Sequence, residues 1–375
     1  MIKSFNKLYK NFNKKKILII TGKKSFNLSG AKKIFLPIIK NNKVVFFFKK
    51  NSFPEIDEFV KLCKLCQKVK PQLIIGIGGG ASIDYAKLTG VLYNQTKKLK
   101  KILKNSKKIK NLKKIKTLVI PSTAGSGAEE TSFATLFIKN KKYSVAHKLI
   151  KPNDYVLLPK LINSSPKYIK ASSGMDTICQ STESLISINS TKKSALYSLK
   201  SLKLAFNNIK MFVGSKSLKK SHNMSLAANY SGKAINIAKT NGPHAVSYYF
   251  STYHGISHGH AVSLTLNSFL HFNYLNIKKS RAKFSLEERY KKLFRLTKSK
   301  NIDDLTKYYE NLIKNLNLEI NFSKLRINLK KELKKIVKET NVERLGNNPV
   351  DVSKDNLINI IKNNERKNFK KNKLK

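Results

Sequence analysis

The sequence predicts an α/β domain built on a mostly parallel sheet, followed by an all-helical domain. Three observations carry this expectation. Short apolar runs rich in β-branched and aromatic residues alternate with amphipathic stretches over the first 165 residues or so. Loops of glycine and small residues directly follow two of those runs. Beyond that point the strand signal fades and long helical patterns take over.

The runs are "ILIIT" (17–21), "VVFFF" (44–48), "LIIGI" (73–77) and "TLVI" (117–120), each bounded by turn residues. Helical patterns such as "EIDEFVKLCKLCQKVK" (55–70) lie between them, which is how a parallel sheet wrapped by helices reads. The second half gives helical segments at 174–187, 193–212, 221–238, 243–253, 259–272, 285–297, 302–316 and 328–339. A length of 375 residues favours two domains. The division expected is an α/β domain over 1–165, a helical domain over 166–363, and a basic tail over 364–375 without fixed structure. There is no internal repeat.

The net charge of +55 comes almost wholly from lysine, and only six of the 76 basic residues are arginine. The lysines are spread among asparagines, as in "KKLKKILKNSKKIKNLKKIK" (97–116). That distribution reads as solvated faces. A nucleic-acid reader would cluster arginine with interleaved aromatics. No run of about 18 apolar residues predicts a membrane span, and the N-terminus lacks the apolar stretch of a signal peptide. Three cysteines point to a reducing, cytoplasmic setting without a disulfide framework. Cys63 and Cys66 form a lone C-x-x-C inside an amphipathic helix pattern, and they and Cys179 read as packing residues.

Chemistry concentrates in four stretches. "LIIGIGGGASIDYAK" (73–87) is a strand, then Gly78, Gly79 and Gly80, then Ala81 and a helix carrying Asp84. Glycines there let a phosphate approach the backbone, and the helix start offers free N–H groups. "VIPSTAGSGAEETSFATLF" (119–137) repeats the design, with Ser122, Thr123, Gly125 and Ser126 as partners for a pyrophosphate or ribose. Two such loops on one sheet edge suit a dinucleotide. "GMDTICQSTESLIS" (174–187) puts Asp176 and Gln180 one helical turn apart. "NGPHAVSYYFSTYHGISHGHAVSLTL" (241–266) holds four of the seven histidines. Pro243 suits a helix start, which places His244 in a first turn. Gly255 and Gly259 suggest a break with His258 opening the next helix. His244 and His258 with Asp176 make a set suited to a divalent metal with open positions.

Together these stretches resemble the iron-containing (group III) alcohol dehydrogenases. The family pattern has a glycine loop like "GIGGGASIDYAK", a P-T-T-A-G-T-G-S-E loop matched by "PSTAGSGAEE", and G-M-D-A-x-x-H-A-x-E matched by "GMDTICQSTE". It also has a histidine-rich segment ending in H-G. The resemblance covers residues 15–365 or so, in the same order. It implies a Rossmann-like nucleotide domain and a helical metal domain, the dehydroquinate synthase-like fold, with the active site between them. It implies Asp176, His244 and His258 as metal ligands, with Fe(II) first and Zn second. The family's fourth ligand, a histidine, falls on Gln180, a weaker neutral oxygen donor. A further family histidine falls on Tyr248, and Ala81 replaces the usual serine. "VERLGNNP" (342–349) resembles the family's last loop and suggests nothing catalytic.

"DTICQSTES", "GKAINIAKTNGPHAVSY" and "KYSVAHKLIKPNDYVLLP" resemble the phosphonoacetaldehyde reductase branch. That branch places Gln and Tyr at the two altered positions. The implied activity is reduction of phosphonoacetaldehyde to 2-hydroxyethylphosphonate with NADPH or NADH, in a homodimer. A small anionic aldehyde is then the partner, with neither nucleic acid nor membrane. A metal-bound water, Tyr248, or His254 through a relay is the proton source. Lys239 is the candidate for the phosphonate. Gly22 stands where NAD-preferring relatives carry Asp, and Lys23 lies beside it, so NADPH is favoured. Two alternatives remain open: a family member acting on another small aldehyde or alcohol, and a non-catalytic basic binding protein on this fold.

Overall fold

A computed structural model describes residues 13–363 apart from 106–108, 110–111 and 140, and divides the chain into two compact units. One comprises the chain up to Pro166 with Ser215–Gly232, the other Lys167–Gly214 with the chain from Lys233 onward. The sequence reading placed 215–232 with the helical half. Glycine explains why it groups with the first unit. Gly127, at φ 57°, and Gly232 meet backbone to backbone, so a Cβ on Gly127 would lie 2.5 Å from the Gly232 Cα. The expected basic tail lies outside the described residues.

The first unit is a five-stranded sheet of order β2-β1-β3-β4-β7, parallel throughout. The strands are β1 (Lys16–Gly22), β2 (Lys43–Lys49), β3 (Leu73–Gly78), β4 (Lys116–Pro121) and β7 (Asp154–Tyr155). The four expected strands are all present. β3 is buried along its whole length and Ile17–Ile20 of β1 are fully buried, because separate apolar cores cover the two faces. One core gathers Leu18, Phe59, Ile74 and Val119, the other Ile17, Phe35, Ile75 and Leu118. A Cβ on Gly76 would stand 2.7 Å from that of Ala86, so this glycine sets how closely the helix Gly80–Leu92 approaches β3.

Three strands were not expected, β7 and an antiparallel pair. β5 (Phe133–Ile138) and β6 (Lys141–Ala146) form an antiparallel pair of their own. Asp84 ties the helix to it, its Oδ2 accepting from the Thr135 backbone N–H and hydroxyl at 2.9 Å each.

The second unit is helical. Its main elements are Lys167–Ile186, Lys192–Gly214, Gly242–His254, His258–Leu275, Leu286–Thr297, Ile302–Asn315 and Leu329–Glu339. The first begins seven residues before the expected segment, and the segments at 243–253 and 259–272 match closely. A core of Val246, Phe250, Leu264, Phe269, Phe322 and Ile360 holds several of them together.

Candidate metal centre

Three helices meet with almost nothing between them. A Cβ on Gly259 would collide with the Ser172 carbonyl and stand 2.7 Å from the Asp176 Cβ. A Cβ on Gly242 would run into the Phe269 ring. Each glycine sits in the first two residues of its helix. Each therefore lets a helix start approach its neighbour, and the following or preceding histidine goes with it. Gly255 closes the Gly242–His254 helix at φ 64°, a conformation that favours glycine, and the chain turns back so that His258 opens the next helix.

The outcome is that Asp176, His244 and His258 offer one donor atom each, all within 4.8 Å of one another. Asp176 and His244 are buried and His258 is half-buried. Among the described residues no other three His, Cys, Asp or Glu side chains converge in this way. Asp176 Oδ1 and His244 Nε2 lie 3.4 Å apart, and both are buried without a well-formed hydrogen bond. Buried polar atoms left in that state are costly. Their aim at a common point beside His258 fits a divalent cation, and a carboxylate with two imidazoles is a donor set for Fe(II) or Zn. Gln180 is 4% exposed, one turn after Asp176 on the same helix. Burial alone would raise the Asp176 carboxyl, but His244 and His258 outweigh it and hold it below the usual carboxylate range.

Glu183, not singled out in the sequence, fixes His244. Its Oε1 accepts the backbone N–H of Asn241 at 3.0 Å and of His244 at 3.2 Å, while Oε2 faces His244 Nδ1. The imidazole thus donates from Nδ1 to a carboxylate and presents Nε2 toward Asp176, the second-sphere arrangement common to histidine ligands. The glutamate of "GMDTICQSTE" was the available signal.

Tyr248 stacks on His258 with ring centroids 5.8 Å apart and planes 4° from parallel. Burial pushes its hydroxyl up to about 12 although Arg344 pulls the other way. The Arg344 guanidinium lies over the Tyr248 ring, 5.8 Å from its centroid, and donates to the Thr240 hydroxyl. "VERLGNNP", read as without chemistry, therefore reaches this centre. Lys239 precedes Thr240, half-buried, in the left-handed region at φ 64°. His254 is not brought in. It sits ten residues after His244, about 15 Å along the helix, with Nε2 2.7 Å from Glu332.

In the other unit, β1, β3 and β4 end side by side at Gly22, Gly78 and Pro121. The chain's direction across the sheet reverses between β1 and β3, the usual position for a nucleotide. Gly78 has φ 148° and Gly79 caps the helix that Gly80 and Ala81 open. The 122–127 loop abuts them. Ser122 N donates to the Gly78 carbonyl at 2.9 Å, a Cβ on Gly79 would be 3.6 Å from the Thr123 hydroxyl, and one on Gly80 3.2 Å from that of Ser126. Gly125 lies within this loop, and Lys23 is exposed beside Gly22. Asp84 is the exception. Its carboxylate is occupied by Thr135 and lies 3.6 Å from the buried Lys87 ammonium, so it serves the fold. Cys63, Cys66 and Cys179 are buried free thiols. Burial pushes Cys66 up to about 12, as packing residues require.

The chain is similar to known proteins over both of its units. The iron-containing alcohol dehydrogenase model matches residues 1–159, and the C-terminal model of the same family matches 170–365. A phosphonoacetaldehyde reductase of Streptomyces viridochromogenes is 29% identical over 227 residues, 58% of this chain and 57% of that protein. A 1-propanol dehydrogenase of Salmonella typhimurium is 28% identical over 239 residues, 62% and 60% of the two chains. The chain thus spans less than two thirds of the length of these curated relatives. Among solved structures, an iron-containing alcohol dehydrogenase from Thermococcus thioreducens superposes with TM-score 0.86 at 19% identity, covering 98% of this chain and 97% of that one. A sulfoacetaldehyde reductase from Bifidobacterium kashiwanohense in complex with NAD+ gives 0.83 at 21%, covering 97% and 94%.

Proposed function

The chain belongs to the iron-containing alcohol dehydrogenase family, and on that premise we propose that it reduces phosphonoacetaldehyde to 2-hydroxyethylphosphonate with a nicotinamide cofactor and a divalent metal. The observation that carries the reading is the convergence of Asp176, His244 and His258, with two buried donor atoms lacking any other use.

Those three side chains hold the metal, Fe(II) before Zn, and Gln180 offers a fourth, neutral oxygen from the next turn. Gly22, Lys23, Gly78, Gly79, Gly80, Ala81, Ser122, Thr123, Gly125 and Ser126 hold the dinucleotide at the carboxyl edge of the sheet, NADPH in preference to NADH. When bound, the metal supplies Lewis acidity at the carbonyl oxygen and the nicotinamide supplies hydride. The chain supplies position and proton. Glu183 keeps His244 in the tautomer that presents Nε2. Tyr248, stacked on His258, gives its proton to the product oxygen. Lys239 faces the phosphonate. The partial match to a phosphonoacetaldehyde reductase and the Gln180 and Tyr248 substitutions support this substrate. The match to a 1-propanol dehydrogenase makes a neutral aldehyde the rival.

The test is NADPH and NADH oxidation by the purified, metal-loaded chain with phosphonoacetaldehyde, sulfoacetaldehyde and propanal. The highest kcat/KM should belong to phosphonoacetaldehyde. A clear preference for propanal would leave a family enzyme with a different substrate.

A further inference from the structure

In a chain that uses lysine almost everywhere, Arg344 stands out. It is one of six arginines, it is half-buried, and it lies against Tyr248, which itself stacks on the metal ligand His258. Its guanidinium donates to the Thr240 hydroxyl and interacts with the Tyr248 hydroxyl. Its backbone is fixed, its N–H donating to Asn341 Oδ1 at 2.9 Å. Asn347 in turn donates to the Thr240 carbonyl at 3.0 Å, so the 342–347 segment is fastened to the Lys239–Thr240 corner.

At that corner Lys239 holds φ 64°, in the left-handed region, as Lys70 and Lys298 are at the ends of their own helices. Arg344 donates to the hydroxyl of Thr240, the residue after Lys239, and the Lys239 ammonium donates to the Asn236 carbonyl at 3.3 Å. After burial, Arg344 is the main cause lowering the Lys239 ammonium, with Glu343 opposing more weakly. Two cations held together are a poor arrangement for stability and a good one for a dianion.

We propose that Arg344 and Lys239 form a subsite for a doubly charged oxyanion, phosphonate or phosphate, on the aldehyde substrate, with Tyr248 touching both this pair and the metal ligands. It rests on the reading above that the substrate is an anionic aldehyde. The guanidinium fork matches two oxygens of such a group and the ammonium a third. Two cations favour a dianion over the single charge of a sulfonate.

The experiment is calorimetric titration of the metal-loaded full-length chain with methylphosphonate, and with methanesulfonate for comparison. Arg344→Met, Arg344→Lys, Lys239→Ala and the exposed Arg295→Met are titrated alongside. Methylphosphonate should bind the wild type more tightly than methanesulfonate. Arg344→Met should weaken it about 10- to 100-fold, Arg344→Lys and Lys239→Ala less, and Arg295→Met within twofold (about the scatter of the method). The ratio of kcat/KM for phosphonoacetaldehyde over propanal should fall in the same order. Equal binding by the wild type and the Arg344 and Lys239 variants overturns the subsite, and so does equal weakening by Arg295→Met. Should Arg344→Met fail to fold, the Arg344→Lys and Lys239→Ala titrations decide by the same criterion. Methylphosphonate bound through Arg344 without turnover of phosphonoacetaldehyde would keep the subsite and sink the substrate assignment.

Discussion

Replacing Glu183 by Gln tests how the metal centre is organised. Glu183 accepts two backbone N–H groups through Oε1, at 3.0 and 3.2 Å, and faces His244 Nδ1 through Oε2. Glutamine has nearly the same shape. Its carbonyl oxygen can keep both backbone bonds, which leaves its NH2 against Nδ1. A donor there requires His244 to accept at Nδ1 and carry its proton on Nε2, the atom that points toward Asp176. Metal binding must then restore the other tautomer and leave a buried donor facing a donor. Loss of such a partner lowers metal affinity about 10- to 100-fold, or roughly 1.4–2.7 kcal/mol. Zn or Co(II) affinity is read by competition with a chelator, and the Co(II) visible spectrum reports the ligand set. The apo variant should melt close to the wild type, because the backbone bonds survive. Affinity within twofold of wild type would refute the orienting role.

Gln180→His should tighten metal binding if Gln180 is a ligand, since imidazole is the better donor for first-row metals. Unchanged affinity together with unchanged KM would make Gln180 a bystander. Gly22→Asp puts a carboxylate where a 2′-phosphate is expected and should cut kcat/KM for NADPH about tenfold relative to NADH; an unmoved ratio shows that Gly22 does not read the ribose. Lys87 is fully buried and donates to the Ala128 and Phe133 carbonyls and the Thr131 hydroxyl at 2.9, 2.6 and 2.8 Å. Lys87→Met strands those acceptors and Asp84, and should cost about 3 kcal/mol in denaturant titration. Burial lowers Lys87 to about 8, against about 10.4 in an unfolded chain. Between those values the unfolded state holds the extra proton, so wild-type stability relative to Lys87→Met should rise with pH. A flat difference across that window would contradict the shift.

The sheet was legible because its strands are apolar runs on a two-faced core, and the candidate ligands Asp176, His244 and His258 because they fall in motifs that resemble those of the family. The hairpin of β5 and β6 was missed. Neither strand belongs to the main sheet, and Lys141–Ala146 carries mixed burial with no apolar run to announce it. Asp84 looked like a phosphate-loop residue, but which side chain takes its carboxylate depends on where Thr135 lands, 51 positions on. Glu183 and Arg344 escaped for a related reason. Their partners lie 61 and 104 positions away and become neighbours only when separate parts of the chain pack together. The boundary at 165 could not anticipate the Gly127–Gly232 contact, which no local pattern encodes.

The central claim is that Asp176, His244 and His258 hold a metal on which nicotinamide-dependent aldehyde reduction depends. The direct measurement follows cofactor oxidation with phosphonoacetaldehyde in three samples: the wild type loaded with Fe(II), the same protein stripped by chelator and then reloaded, and His258→Ala. Metal content is assayed in each. Turnover is expected in the first, loss on stripping with return on reloading, and neither bound metal nor turnover in His258→Ala. Full metal content with undiminished turnover in His258→Ala, or turnover that survives stripping, would contradict it.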